Sequence, residues 1–254
     1  MKICVYSDLH LGRARSDIAL TPARDAELVI LAGDIARGVE GVHWAQQTFP
    51  RVPVLMVLGN HEFYDHDFVT LADECKAAAR GSNVCVLDRD AFELPGARVL
   101  GCTLWTDYLL KGAAQRAAAQ AWALAWMRDF SSIRHGTRTL SPDDTVQAFQ
   151  RDAAWLETQI AAADRPLIVV THHAPTIQTA QPRYRDSVST AAFHSHAEHL
   201  IRAPVALWIH GHTHYNARAQ INGVPVLSNQ LGYPREGGIG FDPTGAFQID
   251  LPLR

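Results

Sequence analysis

Five short polar clusters contain the residues of this chain that are best suited to carry out chemistry. They combine aspartate, asparagine and histidine at close spacing, in Ser7-Asp8-Leu9-His10, Gly33-Asp34, Gly59-Asn60-His61-Glu62, Thr171-His172-His173 and His210-Gly211-His212-Thr213-His214. The candidate metal ligands among them are Asp8, His10, Asp34, Asn60, His172, His212 and His214. These seven donors are too many for one tetrahedral zinc but suit two ions that share a carboxylate. Imidazole and carboxylate without thiolate favour manganese, iron or zinc.

Two divalent or trivalent transition-metal ions at such a site would promote displacement at phosphorus. Spaced by roughly 3.5–4 Å, they clamp the attacking and leaving oxygens, and they lower the pKa of a bound water. The clusters therefore predict a hydrolase that cleaves a phosphomonoester or phosphodiester by attack of metal-bound hydroxide. A single Asp-x-His or Gly-Asn-His is usually a turn, because Asn and Gly tolerate left-handed backbone. The metal interpretation depends on all five clusters occurring in one chain.

Each cluster follows a short apolar run that is typical of a buried strand. The predicted strands are Ile3–Tyr6, Leu28–Leu31, Val52–Leu58, Val84–Leu87, Arg98–Trp105, Leu167–Val170, Ala206–Ile209 and Val224–Leu227. The predicted helices are Gly41–Phe49, Asp67–Arg80, Ala113–Phe130, Asp143–Ala163 and Phe193–Ile201. Strands that alternate with helices indicate an α/β fold, in which ligands bind at the carboxyl ends of the strands. The five clusters are therefore expected to converge.

The chain, with 254 residues, is predicted to form one domain over residues 1–254. Residues 106–142 are the least regular part and are predicted to be a helical insertion that caps the site. Between Lys111 and Arg138 this segment has five basic residues and a single acid, Asp129. Near the end of the chain, hairpin strands are predicted at Ala219–Ile221, Pro225–Leu227 and Phe247–Leu251, joined through Asn222-Gly223 and Pro243–Gly245.

Histidines outside the candidate ligand set have simpler interpretations. His194, His196 and His199 fall on the predicted helix Phe193–Ile201, where spacings of two and five do not share a face. A solvated helix surface is therefore favoured over a further metal site. His210 follows an apolar run and is predicted to be a buried, hydrogen-bonded core residue.

Together and in this order, the motifs resemble those of the calcineurin-like metallophosphoesterase family, in particular its bacterial members. The resemblance spans residues 8 to 214 and rests on Asp8-x-His10, Gly33-Asp34 with Gly38, Gly59-Asn60-His61-Glu62, a late strand-end histidine and Gly211-His212-Thr213-His214. It implies a four-layer α/β/β/α sandwich of two mixed β-sheets flanked by helices, with the site along one sheet edge.

The resemblance also implies roles for individual residues. One metal would be held by Asp8, His10, Asp34 and His214, and the other by Asp34, Asn60, His172 and His212, so that Asp34 is the bridge. His172 is preferred to His173 as the ligand because related sequences place it three residues before a proline, and His173 would then face the pocket. Asp34 and His61 are the predicted catalytic residues, and His61 would contact a phosphate oxygen or protonate the leaving group. Glu62 is expected to orient a histidine.

One late segment departs from the family pattern. Gly232-Tyr233-Pro234 after Asn229 is similar to an Asn-Pro-Arg-Gly-Tyr segment of many bacterial members, but Gln230 and Leu231 replace its proline and arginine. If that arginine binds substrate in relatives, this chain does without it or uses Arg235.

Bulk properties narrow the functional class. The net charge of −3 provides no overall positive field for nucleic acid. No apolar run is long enough to span a bilayer, and neither a secretory signal nor paired cysteine spacing is visible. These features predict a cytoplasmic enzyme for a small-molecule phosphate ester, with no membrane partner. The alternatives are a cyclic-nucleotide phosphodiesterase, a nuclease or, from another class, a non-enzymatic scaffold on the same fold, whose signature would be lost ligands.

Overall fold

The computed structural model of the protein describes residues 1–12 and 18–249. Its α-helices are α1 (Glu40–Thr48), α2 (Leu71–Ala79), α3 (Arg116–Trp126), α4 (Asp129–Ser132) and α5 (Pro142–Ala161). Its strands are β1 (Lys2–Tyr6), β2 (Leu28–Ala32), β3 (Val54–Val57), β4 (Val84–Leu87), β5 (Asp90–Leu94), β6 (Ala97–Cys102), β7 (Arg134–His135), β8 (Arg138–Thr139), β9 (Leu167–Thr171), β10 (Val205–Ile209), β11 (Arg218–Ile221), β12 (Val224–Leu227) and β13 (Ala246–Gln248).

Two mixed sheets form the centre of the molecule. In the first, the order is β13-β1-β2-β3-β4, with β1 to β4 parallel and β13 antiparallel to β1. In the second, the order is β11-β12-β10-β9-β6-β5, with the four inner strands parallel and both edge strands antiparallel to their neighbours. Strands β7 and β8 form a separate two-stranded sheet.

Alternation of side chains along each strand produces the layers. Ile3 and Val5 of β1 belong to the core between the two sheets, whereas Cys4 and Tyr6 belong to the core under α1 and α2. In the second sheet, Leu167 of β9 faces a separate core that includes Leu156 of α5. Both faces of each sheet are therefore covered, which explains why the strand sequences are almost continuously apolar. The predicted α/β/β/α sandwich of two mixed sheets is confirmed.

The predicted helix at Phe193–Ile201 is wrong. Only Glu198–Leu200 forms a single 3-10 turn there, and His194 instead makes a β-bridge with Ala174. His194 is 3% exposed, and its Nδ1 lies 2.9 Å from the Thr176 carbonyl oxygen. It is therefore a buried, hydrogen-bonded residue and does not lie on a solvated helix surface, because tertiary packing overrides the local pattern.

Other elements differ from prediction in extent. The predicted helix Ala113–Phe130 breaks where Met127 adopts an extended backbone, so that α3 and α4 are separate. The edge strand β5 was not predicted. The last predicted strand, Phe247–Leu251, corresponds to β13, which pairs with β1 in the other sheet and forms no hairpin with β12. Its residues 250–251 lie outside the described part of the chain.

Within residues 1–12 and 18–249, every helix is too short or too polar to cross a lipid bilayer.

Candidate metal centre

The polar clusters follow the carboxyl ends of neighbouring parallel strands. Asp8, Asp34 and Asn60 come after β1, β2 and β3, and the late histidines come after β9 and β10. The His212 amide, after β10, donates to the Asp8 carboxylate, after β1, and so joins the loops of the two sheets. Within the first sheet, the amides of Asp8 and His10 donate to the carbonyls of Gly33 and Asp34. The Gly211 amide donates to the His172 carbonyl in the same way at 2.9 Å. The seven predicted ligands therefore meet at one edge of the sandwich.

A first donor group consists of Asp8, His10, Asp34 and His214, whose ligand atoms all lie within 4.8 Å of one another. His10 Nε2 and His214 Nε2 are 2.8 Å apart. His214 Nε2 lies 3.3 Å from Asp8 Oδ1, and His10 Nε2 lies 3.9 Å from Asp34 Oδ2. Both carboxylates are at most 1% exposed.

A second donor group, with the same 4.8 Å limit, consists of Asp34, His172 and His212. His172 Nε2 lies 3.3 Å from Asp34 Oδ1 and 3.1 Å from His212 Nδ1. The Asn60 oxygen Oδ1 is also 3.1 Å from His172 Nε2, which adds a fourth donor. Asp34 is common to both groups and stands between them.

The backbone is left-handed at five of these donors. The φ angles of Asp8, His10, Asp34, His212 and His214 lie between 49° and 70°. Residues other than glycine rarely adopt this conformation, and it persists only where the surroundings enforce it. Its recurrence at the donors shows that each loop is bent to direct its side chain into the cluster.

Hydrogen bonds orient two of the imidazoles. His172 Nδ1 lies 2.9 Å from the Ala32 carbonyl, which can only accept, so Nδ1 carries a proton and Nε2 is the nitrogen that faces the cluster. His214 Nδ1 lies 2.8 Å from Glu236 Oε2 in the same way. In each group, the Nε2 atom thus faces a second ring nitrogen and a buried carboxylate. Such a set needs a cation at its centre, either a proton or a metal ion, and its donor types fit a pair of metal ions.

The pKa values of the clustered residues also indicate that the buried carboxylates need positive charge beside them. Burial lowers the pKa of His10 to about 4. Burial also disfavours the charged form of His172, but the Asp34 carboxylate raises the pKa of His172 to about 9. Burial opposes ionisation of Asp34, yet the neighbouring histidines hold the pKa of that carboxyl below its usual range. The buried aspartates are therefore stabilised by positive charge beside them, which a bound metal ion would also provide.

His61 lies at the open side of the cluster. Its Nε2 is 3.9 Å from Asp34 Oδ2, and its side chain is 19% exposed. The Tyr233 hydroxyl lies 3.0 Å from the same nitrogen, and the Tyr233 ring stacks on His10 with centroids 4.5 Å apart. His61 is thus adjacent to the bridging position and can reach a group bound there.

Glu62 does not orient a histidine, contrary to the expectation from sequence. Its buried carboxylate instead accepts three backbone N–H groups, from Asp34 at 2.9 Å, Ile35 at 2.7 Å and Gly59 at 2.7 Å. These amides follow β2 and β3. Glu62 therefore ties together the two loops that carry Asp34 and Asn60.

The two remaining predicted residues have different surroundings. His173 is 1% exposed and packs between Trp105 and His212, with ring centroids 5.2 Å and 4.0 Å away. The His173 ring therefore packs against the His212 ring and does not line an open pocket. Arg235 is exposed, and its guanidinium lies 5.4 Å from the centre of the Tyr233 ring.

Several site residues were not predicted from the sequence. Asp129 lies 2.8 Å from the Asn60 amide nitrogen, and the Glu236 carboxylate accepts a hydrogen bond from His214 Nδ1. Gln230, which replaces the family proline, accepts the His214 amide at 2.7 Å. The one signal for Asp129 was its position as a lone acid in a basic segment, and Tyr233 lies in a segment similar to a family motif. No local pattern marks Glu236.

Comparisons with known proteins show what this chain is similar to in sequence. The sequence model of the calcineurin-like phosphoesterases matches residues 1–216. Uncharacterized protein L509 of Acanthamoeba polyphaga mimivirus is 27% identical over 220 residues, which cover 79% of this chain and 75% of the viral protein.

Among solved structures, phosphopantetheinyl hydrolase (PptH) from Mycobacterium tuberculosis has a TM-score of 0.70 at 19% identity, covering 99% of this chain and 96% of that one. At this identity the likeness establishes the fold.

Proposed function

Because the chain belongs to the calcineurin-like phosphoesterase family, whose model spans residues 1–216, we propose that its seven clustered donors hold two metal ions in a catalytic centre. Family membership makes the protein a metal-dependent phosphoester hydrolase. The observation that carries the two-ion proposal is that Asp34 belongs to both donor groups. One carboxylate shared by two sets of imidazoles is the arrangement that a dinuclear site needs.

The proposed ligand sets follow the two donor groups. Asp8, His10 and His214 hold one ion together with Asp34, and His172, His212 and Asn60 hold the other together with Asp34. Imidazole and carboxylate donors suit manganese, iron or zinc. The ions, when bound, provide Lewis acidity toward the phosphoryl oxygens and a hydroxide near neutral pH for direct attack on phosphorus.

His61 is the proposed general acid. It follows the ligand Asn60 directly, and its backbone N–H donates to Asp34 Oδ1 at 2.8 Å, which fixes its position beside the bridge. Its Nε2, on a side chain that is 19% exposed, can donate a proton to the leaving oxygen of a bound ester. The Tyr233 hydroxyl, at 3.0 Å from Nε2, holds the ring in place.

The proposed substrate is a small phosphomonoester or phosphodiester. Arg128 supports an anionic substrate because its guanidinium lies 5.5 Å from the centre of the Tyr64 ring, which in turn lies 4.2 Å from the His61 ring. Within the described part of the chain, Arg128 forms no ion pair with a carboxylate. It therefore offers positive charge beside the site without a net positive field for nucleic acid.

A cytoplasmic location is part of the proposal. All four cysteines are free, and Cys4, Cys75 and Cys102 are buried. Free thiols suit a reducing compartment.

Metal content and activity together test the proposed function. The purified protein should carry up to two manganese, iron or zinc ions per chain, measured by elemental analysis. Chelation should abolish hydrolysis in a panel of phosphomonoesters, phosphodiesters and cyclic nucleotides, and adding the metal back should restore it. Activity that survives complete chelation would refute the proposal.

Variants separate the ligand role from folding. Asp34→Asn and His212→Ala should lose metal and activity together, because each removes a donor from the cluster. His194→Asn is the matched control, since His194 is also a buried histidine but contacts the Thr176 carbonyl and none of the seven donors. It should keep both ions.

A further inference from the structure

The side chain of Asn60 must present its oxygen to the second ion, and the amide alone does not specify this. The two ends of an asparagine amide are nearly equal in size, so rotation by 180° would replace the oxygen with an NH2 group that cannot bind a metal. Some neighbouring group must therefore distinguish the two orientations. In this structure Asn60 Oδ1 faces His172 Nε2 at 3.1 Å, and Nδ2 faces away from the donor group.

Nδ2 contacts the Asp129 carboxylate and, at 3.3 Å, the Tyr64 hydroxyl. Because a hydroxyl can donate or accept, only the carboxylate distinguishes the two orientations of the amide. Nδ2 donates to Asp129 Oδ1 at 2.8 Å, and the Tyr64 hydroxyl donates to the same oxygen at 2.8 Å. An ionised carboxylate can only accept hydrogen bonds, so the flipped amide would set its oxygen against the Asp129 oxygen. The contact is buried, since Asp129 is 1% exposed and Asn60 3% exposed, and water therefore screens little of that repulsion.

A purely structural role does not readily explain why Asp129 is buried at this position. Asp129 is 1% exposed, and a carboxylate buried away from water is costly unless it is paired. Asp129 forms no ion pair with a lysine, arginine or histidine within residues 1–12 and 18–249. Its buried contacts are instead Asn60 and Tyr64, at the edge of the donor cluster.

We propose that Asp129 is a positioning residue that orients the Asn60 amide for the second metal ion. This inference rests on the proposed metal centre. Asp129 opens the short helix α4 within the segment 106–142, where the chain turns inward after the break at Met127. That segment thus contributes directly to the metal centre, although no family motif lies within it.

Metal binding to the purified protein tests the proposal. Isothermal titration of metal-free protein with Mn²⁺ or Zn²⁺ should give two sites in the wild type. Asp129→Ala should weaken one of them by about 10- to 100-fold, the usual effect of removing a group that orients a ligand. Asp129→Asn keeps an acceptor oxygen and should weaken metal binding at that site less than Asp129→Ala does. Asp152→Asn is the matched control, because Asp152 is an equally buried carboxylate that contacts Arg89 and the Leu104 amide.

A charge exchange distinguishes positioning from a role in folding. In an Asn60→Asp background two carboxylates would face each other, and Asp129→Asn would then supply an amide that donates to the new carboxylate. Asp129→Asn should therefore weaken metal binding in the wild-type background and strengthen it in the Asn60→Asp background. A residue needed only for folding would change both backgrounds in the same direction.

The outcomes separate this inference from the proposed function. Wild-type protein that binds fewer than two ions would overturn the metal centre and the inference with it. Two wild-type sites that Asp129→Ala leaves unchanged would overturn the inference alone. If circular dichroism shows that Asp129→Ala does not fold, the charge-exchange pair decides. The inference is overturned if Asp129→Asn changes metal affinity in the same direction in both backgrounds.

Discussion

Replacing Gly59 with alanine tests how tightly the two donor groups are spaced. The φ angle of Gly59 lies outside the left-handed region, so alanine can adopt its backbone conformation. The added Cβ, however, would fall against Asp34 Oδ1, at 2.6 Å from the Asp34 nitrogen and 2.7 Å from His172 Cε1. Since carbon atoms in contact lie about 3.5 Å or more apart, His172 or the Gly59 loop must move by about 0.8 Å.

That displacement exceeds what a metal site tolerates. Distances to ligand atoms hold to within about 0.2 Å, so a shift of His172 or Asp34 by several times that amount should disrupt the second ion. We expect Gly59→Ala to lose at least one ion per chain and most of its hydrolytic activity. Overpacking should also cost about 1–3 kcal/mol in the free energy of unfolding.

The control is the same substitution elsewhere in the core. Gly101→Ala places a Cβ 2.5 Å from Leu87 Cβ and 2.9 Å from Val57 Cγ1, between the two sheets, and its φ is also not left-handed. It should lose similar stability in urea unfolding yet keep both ions by elemental analysis. Two ions and wild-type activity in Gly59→Ala would refute the spacing argument.

Three further substitutions have defined outcomes. His61→Ala should keep both ions in elemental analysis but lower kcat, most for esters with poor leaving groups, because it removes a proton donor and no ligand. Glu62→Ala should reduce the free energy of unfolding by about 3 kcal/mol or more in urea, since three buried backbone N–H groups lose their acceptor. Asp144→Asn should cost about 1–2 kcal/mol at pH 7, because Asp144 forms the capping box of α5 with Ser141 and pairs with the half-exposed Arg138.

The Asp144 effect should depend on pH with a definite sign. The Arg138 guanidinium holds the pKa of the Asp144 carboxyl below its usual range. A lowered carboxyl pKa contributes stability that is present above the usual value of about 3.9 and is lost as pH falls through the lowered one. The difference between wild type and Asp144→Asn should therefore shrink between pH 7 and pH 3.

Each of these expectations has a contrary result. Loss of metal in His61→Ala would remove its assignment as a proton donor. Unchanged unfolding of Glu62→Ala would mean that the three amides find other partners. For Asp144, the neighbouring Asp143→Asn is the control, since Asp143 is also in the first turn of α5 but outside the capping box. An equal effect of both variants would contradict the capping argument.

The fold was predictable where burial imposes a simple pattern. Strands such as β2 and β9, buried on both faces, are almost continuous apolar runs. The edge strand β5 was missed because its residues alternate between half-buried and exposed and include Asp90 and Glu93. The segment around His194 was mistaken for a helix because its bridge to Ala174 is a long-range contact, and local periodicity cannot reveal such contacts.

The clustering of the proposed donors could be predicted from residue types and strand ends, because every proposed ligand lies within a few residues of the end of a strand, and parallel strands end at a common edge. The preference for His172 over His173 came from the family resemblance. The groups that orient those ligands come from elsewhere in the chain. Asp129 and Glu236 reach the centre from segments where no motif or periodicity distinguishes them from surface residues, and Tyr233 comes from a segment that only partly matches a family motif. Their positions depend on how α4 and the loop after Gly232 fold back over the sheets, which contacts between residues distant in sequence set.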